Sequence, residues 1–198
     1  MVKVSSEYMQ AKRDQIARAA IEQFSRRGIH LTSMANIIEA SELSAGTIYL
    51  HFKGKNEIIA YVARTTFSGL FAEVEAAVTT EPPPRPSELI DLITSRIATA
   101  DIPSGLLIQV WGEAVSNQEV RRAANSVYEQ ALDTLREYCV AWMLSGEGKD
   151  LPTARREAPA RAHLMVSLIY AQILQMSLID GYDTGSLSAE LATLLDRF

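Results

Sequence analysis

Apolar residues recur at intervals of three and four along nearly the whole chain. In the first segment the pattern runs through Ile16, Ala20 and Phe24, a spacing that gathers side chains on one face of an α-helix. No segment shows the sustained alternation that is typical of a β-strand. The pattern therefore predicts an all-α protein with helices near residues 6–27, 33–40, 45–51, 55–79, 86–100, 104–116, 118–146, 156–180 and 187–197.

The predicted helices are separated by residues that end or start a helix. Gly28 accepts the left-handed conformation in which a helix commonly ends, so the first helix should stop there. Thr32 or Ser33 can cap the N-terminus of the second helix, because a hydroxyl oxygen accepts from a free backbone N–H. The proline-rich segment 81–86 cannot lie inside a helix, since proline lacks the backbone donor.

Two short helices joined by a four-residue turn occupy the segment from residue 32 to residue 57. Ile48 and Phe52 lie four apart and share the buried face of the second helix. The neighbouring positions therefore face other directions: Ser44, Ala45, Thr47, Tyr49, Leu50 and His51. Small residues at 44–46 let the helix N-terminus approach another surface, and its free N–H groups suit a phosphate. This layout is typical of a helix-turn-helix, whose second helix enters the DNA major groove.

The run Ser44-Ala45-Gly46-Thr47-Ile48-Tyr49-Leu50-His51-Phe52, followed by Lys53 and Lys55, resembles the DNA-binding head of TetR-family transcriptional regulators. The resemblance covers roughly residues 10–60. It implies a three-helix DNA-binding domain at 1–54 and a helical-bundle domain at 55–198 that binds a ligand and forms the dimer. A weaker resemblance of residues 109–121 to the ligand-binding half of several members supports the second domain. By this analogy the helices near 156–180 and 187–197 form the dimer interface.

The motif and the resemblance together predict a set of DNA contacts at the start of the second and third helices and just beyond. These are Thr32, Ser33, Ser44, Ala45, Gly46, Thr47, Tyr49, His51 and Lys55. Two positions depart from the family pattern. Glu42 stands where members often have glycine, so it has to adopt an unfavoured backbone conformation and places a negative charge near DNA. Ala45 stands where many members carry lysine or arginine.

The charges are distributed unevenly along the chain, so the net charge of the whole chain is a poor guide to its function. The 198 residues carry a formal net charge of −5, which alone argues against a nucleic-acid binder. Residues 1–55, however, carry +3 and residues 56–198 carry −8, so a basic head precedes an acidic body. The single cysteine, Cys139, excludes an internal disulfide framework and a cysteine-based zinc site. The chain shows no leader and no long uncharged apolar run, so we expect a cytoplasmic protein without a membrane span.

Candidate effector contacts lie on the helices after residue 100. Aromatic and sulfur-containing side chains with a few polar groups line pockets for small apolar ligands. The candidates are Trp111, Tyr128, Trp142, Met143, His163 and Tyr170, with Met165 and Met176 as further members. Gln109, Gln172 and Gln175 lie on mostly apolar helices, where a buried amide needs a partner. The alternative is that these residues are ordinary core. The absence of a basic cluster favours an apolar or cationic effector.

The resemblance to TetR-family regulators implies a homodimeric repressor that binds a palindromic DNA operator and is released by a small molecule. The alternative left open is a helical protein-interaction module that does not bind DNA. An enzyme is not expected, because the sequence has no phosphate-binding loop, no His-Glu-x-x-His motif and no paired carboxylates beside a histidine. No metal site and no cofactor are expected either.

Overall fold

The computed structural model describes residues 6–100 and 103–196, without the side chains of residues 67–73, 77, 78 and 186. Nine α-helices and no strand lie in these described ranges, which confirms the all-α prediction. The helices are α1 Ser6–Arg27, α2 Met34–Ser41, α3 Ala45–His51, α4 Lys55–Val78, α5 Pro86–Thr99, α6 Ser104–Ser116, α7 Gln118–Ser145, α8 Leu151–Leu178 and α9 Ser188–Leu195. A short 3-10 helix, Thr184–Leu187, precedes α9.

The start of α8 differs from the prediction, which placed it near residue 156. Asp150 caps the helix by accepting from the Thr153 N–H at 2.8 Å, and Pro152 occupies the first turn. A proline there loses no hydrogen bond, because the first N–H groups of a helix have no intrahelical acceptor. The last predicted helix extended to residue 197, which lies outside the described residues.

The chain divides into two compact units that do not follow the sequence order. The first unit comprises the residues up to Thr65 together with Leu106–Asn125, and the second comprises Thr66–Gly105 and the residues from Ser126 onward. The first unit therefore contains α6 as well as the helix-turn-helix. The division at residue 54 stays a prediction about domains, since compactness alone does not define a functional domain.

The first unit is built around apolar residues from α1 to α4. Phe24, Ile37 and Ile48 are fully buried, and so is Ile58 near the start of α4. Gly28 has φ +83° after the last turn of α1, which confirms that this glycine ends the helix. Ser33 caps α2, its Oγ accepting from the Asn36 N–H, so of the two predicted caps the structure has Ser33.

The second unit packs α5 against α8 and α9. Ile90 and Leu89 of α5 are fully buried, and Ile173 of α8 is nearly so. Three hydrogen bonds of the described residues fix α9 to α5: the Ser87 hydroxyl and backbone N–H donate to the Asp196 carboxylate at 2.7 and 3.0 Å, and the Ser188 hydroxyl donates to the Asp91 carboxylate at 3.0 Å. Polar side chains thus set the register of the last helix.

The turn between α2 and α3 passes through Glu42 in the left-handed region, at φ 57° and ψ 23°. Glu42 is the only non-glycine residue with positive φ in the described part of the chain. The conformation expected at this departure from the family pattern is therefore confirmed. A side chain with a Cβ pays about 1–2 kcal/mol for this conformation.

Replacing Glu42 by glycine is expected to raise the free energy of unfolding by about 0.5–1 kcal/mol, because the relieved strain exceeds the extra freedom of the unfolded chain. Glu39→Gly removes the same charge inside α2 and should lower stability by about 1 kcal/mol. Denaturant titration of both variants separates the effect of the backbone conformation on stability from the effect of the lost negative charge. A shift in the same direction for both would contradict the backbone explanation.

Candidate nucleic-acid interface

The N-terminal part of α3 presents a small, polar surface. The Ser44 side chain caps the helix by accepting from the Thr47 N–H at 3.1 Å, and the two hydroxyl oxygens lie 2.9 Å apart. Ser44, Ala45 and Gly46 are exposed and Thr47 is half-buried. Backbone N–H groups at this end are therefore accessible to an anion such as a phosphate.

Tyr49 and Leu50 extend the same exposed surface along α3. Their exposed fractions are 53% and 72%, whereas Ile48 and Phe52 on the opposite face are 0% and 1% exposed. The phenol of Tyr49 offers a hydroxyl for a phosphate and a ring for a sugar or a thymine methyl. The predicted division of this helix into a buried and an outer face is confirmed for these four residues.

Thr32 does not fit the contact role predicted for it. The residue is 1% exposed, and its hydroxyl donates to the Gly28 carbonyl at 2.8 Å and lies 3.2 Å from the Gln23 carbonyl. The hydroxyl thus closes the end of α1 instead of facing outward. Ser33, its neighbour, is exposed at the N-terminus of α2 and keeps its predicted position.

His51 is buried as well, contrary to the outer face predicted for it. It is 6% exposed, and its Nδ1 has no hydrogen-bond partner among the described residues. Burial lowers the pKa of His51 below its usual value, and the positive charges of Arg13 and Lys12 lower it further. The imidazole is therefore neutral at pH 7 and adds no positive charge to the candidate interface.

Lys55 supports the loop between α1 and α2 from the start of α4. Its ammonium donates to the Ile29 carbonyl at 2.9 Å and to the Thr32 carbonyl at 3.0 Å. Gln109 of α6 supports the same loop, since its side-chain oxygen accepts from the Ile29 N–H at 2.7 Å. The amide of Gln109 therefore has a protein partner, and two side chains distant in sequence position this loop.

Replacing Lys55 by methionine is expected to lower the free energy of unfolding by about 1.5–3 kcal/mol, because two charge-assisted hydrogen bonds are lost. The salt dependence of DNA affinity should stay unchanged if the ammonium contacts no phosphate. Chemical denaturation and DNA titration at several salt concentrations measure both quantities. Lys53→Met is the control, since Lys53 is exposed and carries the same charge. If the slope of DNA affinity against salt concentration is smaller by about 1 in Lys55→Met and stability is unchanged, Lys55 contacts a phosphate as predicted from the sequence.

Arg13 has a structural role that the sequence pattern did not predict. Its guanidinium lies over the rings of Phe52 and Tyr61, 4.3 and 4.8 Å from their centroids. It also donates to the His51 carbonyl at 3.0 Å and pairs with Glu57. Arg13 therefore joins α1 to the end of α3 and the start of α4. No spacing rule connects an arginine in one helix with an aromatic residue about forty positions later.

Two cavities in the second unit bear on the predicted effector contacts. The first, the Tyr170 cavity, has a volume of about 50 Å³ and mostly aliphatic walls from α4, α5, α7 and α8. The second, the Trp142 cavity, has a volume of about 240 Å³. Its walls are Pro86, Tyr138, Cys139, Trp142, Ala160, Arg161, Leu164, Met165 and Leu195. A pocket for a drug-sized ligand has about 300–1,000 Å³, so only the Trp142 cavity approaches that size.

The structure does not bring the six predicted effector residues into one cavity. Trp142 lines the Trp142 cavity and Tyr170 lines the Tyr170 cavity. Tyr128 packs edge-on against Tyr170, with 6.0 Å between centroids, and its hydroxyl lies 3.3 Å from Nδ1 of the exposed His163. Of the other two candidates, Met143 lies in the core and is 0% exposed. Trp111 belongs to the first unit and not to the second.

Gln172 and Trp142 are among the buried polar residues of the second unit that lack a hydrogen-bond partner in the described part of the chain. The side-chain nitrogen and oxygen of Gln172 have no hydrogen-bond partner, although the residue is only 1% exposed. The buried indole nitrogen of Trp142 has no partner either. A buried group without a partner costs about 1–3 kcal/mol of stability. Such groups mark places where a further molecule can supply the missing partner.

The described residues contain no group of three or more histidine, cysteine or acidic side chains placed to hold a metal ion. None of the helices in these ranges is both long and apolar enough to cross a bilayer.

Residues 16–62 match the sequence profile of a family described as bacterial regulatory proteins, tetR family. The match runs from the middle of α1 into α4 and includes the whole helix-turn-helix. The regulator AcrR of Shigella flexneri is 25% identical over 175 residues, which cover 83% of this chain and 80% of AcrR. The helix-turn-helix segment of this chain therefore matches the tetR family.

The higher sequence identities are confined to a short part of the chain. The regulator TtgR of Pseudomonas putida is 39% identical over 59 residues, which are 30% of this chain and 28% of TtgR. The chain spans about a third of the length of the first curated relatives it matches. The structure of Salmonella enterica GusR covers 98% of both chains with a TM-score of 0.75 at 21% identity, which shows a shared fold.

Proposed function

We propose that this protein is a DNA-binding transcriptional regulator of the tetR family and of the cytoplasm, not an enzyme. In its simplest form it is a homodimeric repressor that binds a palindromic operator and releases it when a small molecule binds. The observation that carries the proposal is the exposed N-terminal face of α3. Ser44, Ala45, Gly46, Thr47 and Tyr49 lie there on a helix whose opposite face is buried.

The chemistry of this face suits recognition by shape and by backbone contacts. It offers hydroxyl groups and free helix N–H groups to phosphates, and the phenol of Tyr49 to the groove. It carries no arginine, asparagine or glutamine from Ser44 to Phe52, so bidentate contacts to base edges are few. We therefore expect a regulator whose specificity depends on Thr47, Tyr49, apolar contacts and DNA deformability.

An exposed apolar stripe on α8 supports the proposed dimer. Its members, here called the α8 stripe, alternate in steps of four and three residues and are all exposed: Ala160, Leu164, Ser167, Ala171, Leu174 and Leu178. This spacing lets two helices pack side by side at a shallow angle. Leu164, Leu174 and Leu178 are exposed by 45%, 43% and 69%, which is costly unless another surface covers them.

A dimer explains how a ligand can control DNA binding. Two recognition helices must lie about 34–36 Å apart to enter successive major grooves. A ligand releases the operator only if it binds a conformation with another spacing more tightly. Helix α4 connects the two functions along the chain, because Lys55 at its start supports the α1–α2 loop and Val74 near its end lines the Tyr170 cavity.

The test is a mobility shift with the full chain and the DNA that flanks its gene, at two salt concentrations. A discrete shift that survives random competitor DNA and weakens with salt is expected. Tyr49→Ala should lower the affinity by about tenfold or more, with an unchanged melting temperature. Tyr182→Ala, a tyrosine of the second unit, serves as the control.

If no sequence from a random-oligonucleotide selection binds, even at low salt, the proposal fails. The helical interaction module without DNA binding would then be the better description. If the protein binds DNA but Tyr49→Ala has no effect on the affinity, the proposed DNA-binding function remains supported. The proposed role of α3 as the recognition helix would then be wrong.

A further inference from the structure

We propose that Leu50 contacts the 5-methyl group of a thymine in the major groove and thereby selects a T·A pair at one position of each operator half-site. The inference rests on the proposed function and deepens it, because it names a residue that reads a base and the chemical group that this residue reads. Leu50 is not one of the DNA contacts that the sequence motif predicts.

The first argument is the exposure of Leu50. Its side chain is 72% exposed, and of the large apolar residues that the structure describes only Leu31 and Val115 are more exposed. A leucine in this state gains free energy when another apolar group covers it. Single exposed leucines are common on protein surfaces, so the position of Leu50 on α3 decides what it can contact.

The second argument is the direction of Leu50. Successive residues of an α-helix are turned by about 100°, so Gly46 and Leu50, two positions before and after the buried Ile48, both lie nearly opposite to it. Tyr49 lies to one side of this outer face. A helical side chain also points back toward the N-terminus of its helix, which brings Leu50 over the turn that contains Gly46. Leu50 is therefore the apolar side chain at the centre of the outer face of α3.

The third argument is the space beside Gly46. The φ angle of this glycine is not positive, and of the described chain a Cβ there would meet only the Ser44 Oγ, at 3.9 Å, which is an ordinary contact. The fold of the first unit therefore does not require glycine here, although glycine is a weaker helix former than alanine. A missing side chain lets another molecule approach the backbone closely. A base pair that approaches Gly46 comes within reach of Leu50.

The fourth argument is the chemistry of the base edges. The groups that distinguish the base pairs in the major groove are hydrogen-bond donors and acceptors, except for the methyl group of thymine. Leucine has no polar atom, so over a donor or acceptor it would displace water without replacing the hydrogen bond. A thymine methyl is covered without that loss. The segment from Ser44 to Phe52 carries no arginine, asparagine or glutamine, so this one apolar contact is a large part of the direct readout.

The test uses the full chain and an operator duplex obtained by random-oligonucleotide selection. Each thymine of the half-site is replaced in turn by deoxyuridine, which pairs as thymidine does and lacks only the 5-methyl group. At one position the replacement should lower the affinity of the wild type by about fourfold in one half-site and by about fifteenfold in both, as the loss of one buried methyl group implies. Fluorescence anisotropy at fixed salt concentration measures the affinities.

Leu50→Ala removes the proposed contact and keeps the fold, since the side chain is exposed. It should bind the thymine duplex and the uracil duplex equally, and both more weakly than the wild type binds the thymine duplex. Leu31→Ala is the matched control, because Leu31 is 73% exposed and lies in the loop between α1 and α2. This control should keep the full effect of the missing methyl group. Tyr49→Ala should keep it too, at a lower overall affinity.

Two results would overturn the inference while DNA binding remains. One is a wild type that binds the uracil duplex as tightly as the thymine duplex at every position. The other is an undiminished methyl effect in Leu50→Ala, and its disappearance in Tyr49→Ala would then assign the methyl group to the phenol ring. In both cases a selected sequence is still bound, so the proposed function stands. If the selection yields no bound sequence, the proposed function fails and this inference fails with it.

Discussion

Leu174→Arg is expected to convert the proposed dimer to a monomer and to lower operator affinity by about a hundredfold or more. Leu174 lies in the α8 stripe, where two copies would bring two arginines together in an apolar contact. Burying unpaired charges there costs more than the contact provides. A monomer reaches only one half-site, so it loses the gain from joining two binding events, which amounts to about 10²–10⁴. Sedimentation velocity and a mobility shift measure the two effects.

Leu92→Arg is the matched control for this substitution. Leu92 is 37% exposed and Leu174 is 43% exposed, and Leu92 lies on α5 and is not a member of the α8 stripe. The control should remain a dimer with the operator affinity of the wild type. A dimeric Leu174→Arg protein would show that another surface holds the two copies together.

Phe52→Ala is expected to destabilise the first unit by about 3–5 kcal/mol, a large part of the stability of a small domain. The ring is 1% exposed, packs edge-on against Tyr61 with 5.4 Å between centroids, and lies beneath the Arg13 guanidinium. Its removal leaves a cavity and ends two aromatic contacts. Calorimetry should show an early transition for this unit, together with loss of operator binding at 37 °C.

The neighbouring residue provides the comparison for Phe52→Ala. Leu50 is 72% exposed on α3, so Leu50→Ala should leave the melting temperature within about a degree of the wild type. Phe52→Leu, which refills part of the space, should recover more than half of the lost stability. A small effect of Phe52→Ala would mean that the contacts around Arg13 contribute little.

The pattern of apolar positions predicted the helices well because each buries one continuous face. It placed the start of α8 too late, although the Asp150 cap and Pro152 in the first turn are both compatible with an earlier start. The candidate interface followed from the motif for Ser44 to Tyr49. It was wrong about Thr32, whose hydroxyl donates to backbone carbonyls instead of facing a ligand, and about His51, whose ring is buried.

Long side chains account for most of what the sequence could not show. Periodicity places the Cα of Lys55 or Arg13 on a face, but it does not say where the charged end goes. The same holds for the effector residues, because an aromatic side chain on α7 or α8 packs into a core or lines a cavity at nearly the same angle. Trp142 and Tyr170 were distinguished from Met143 only by the three-dimensional arrangement.

The hydrogen bond from the Ile29 N–H to Gln109 has a consequence for engineering. A chimeric regulator can be made by joining the N-terminal part of one chain to the C-terminal part of another. In this protein a graft of residues 1–65 would leave behind Leu106–Asn125, which belongs to the same compact unit and holds the acceptor for Ile29. The transplanted head would keep its recognition helix but lose a support of the loop before it. A working graft has to carry both segments, or a glutamine at the matching position of the recipient.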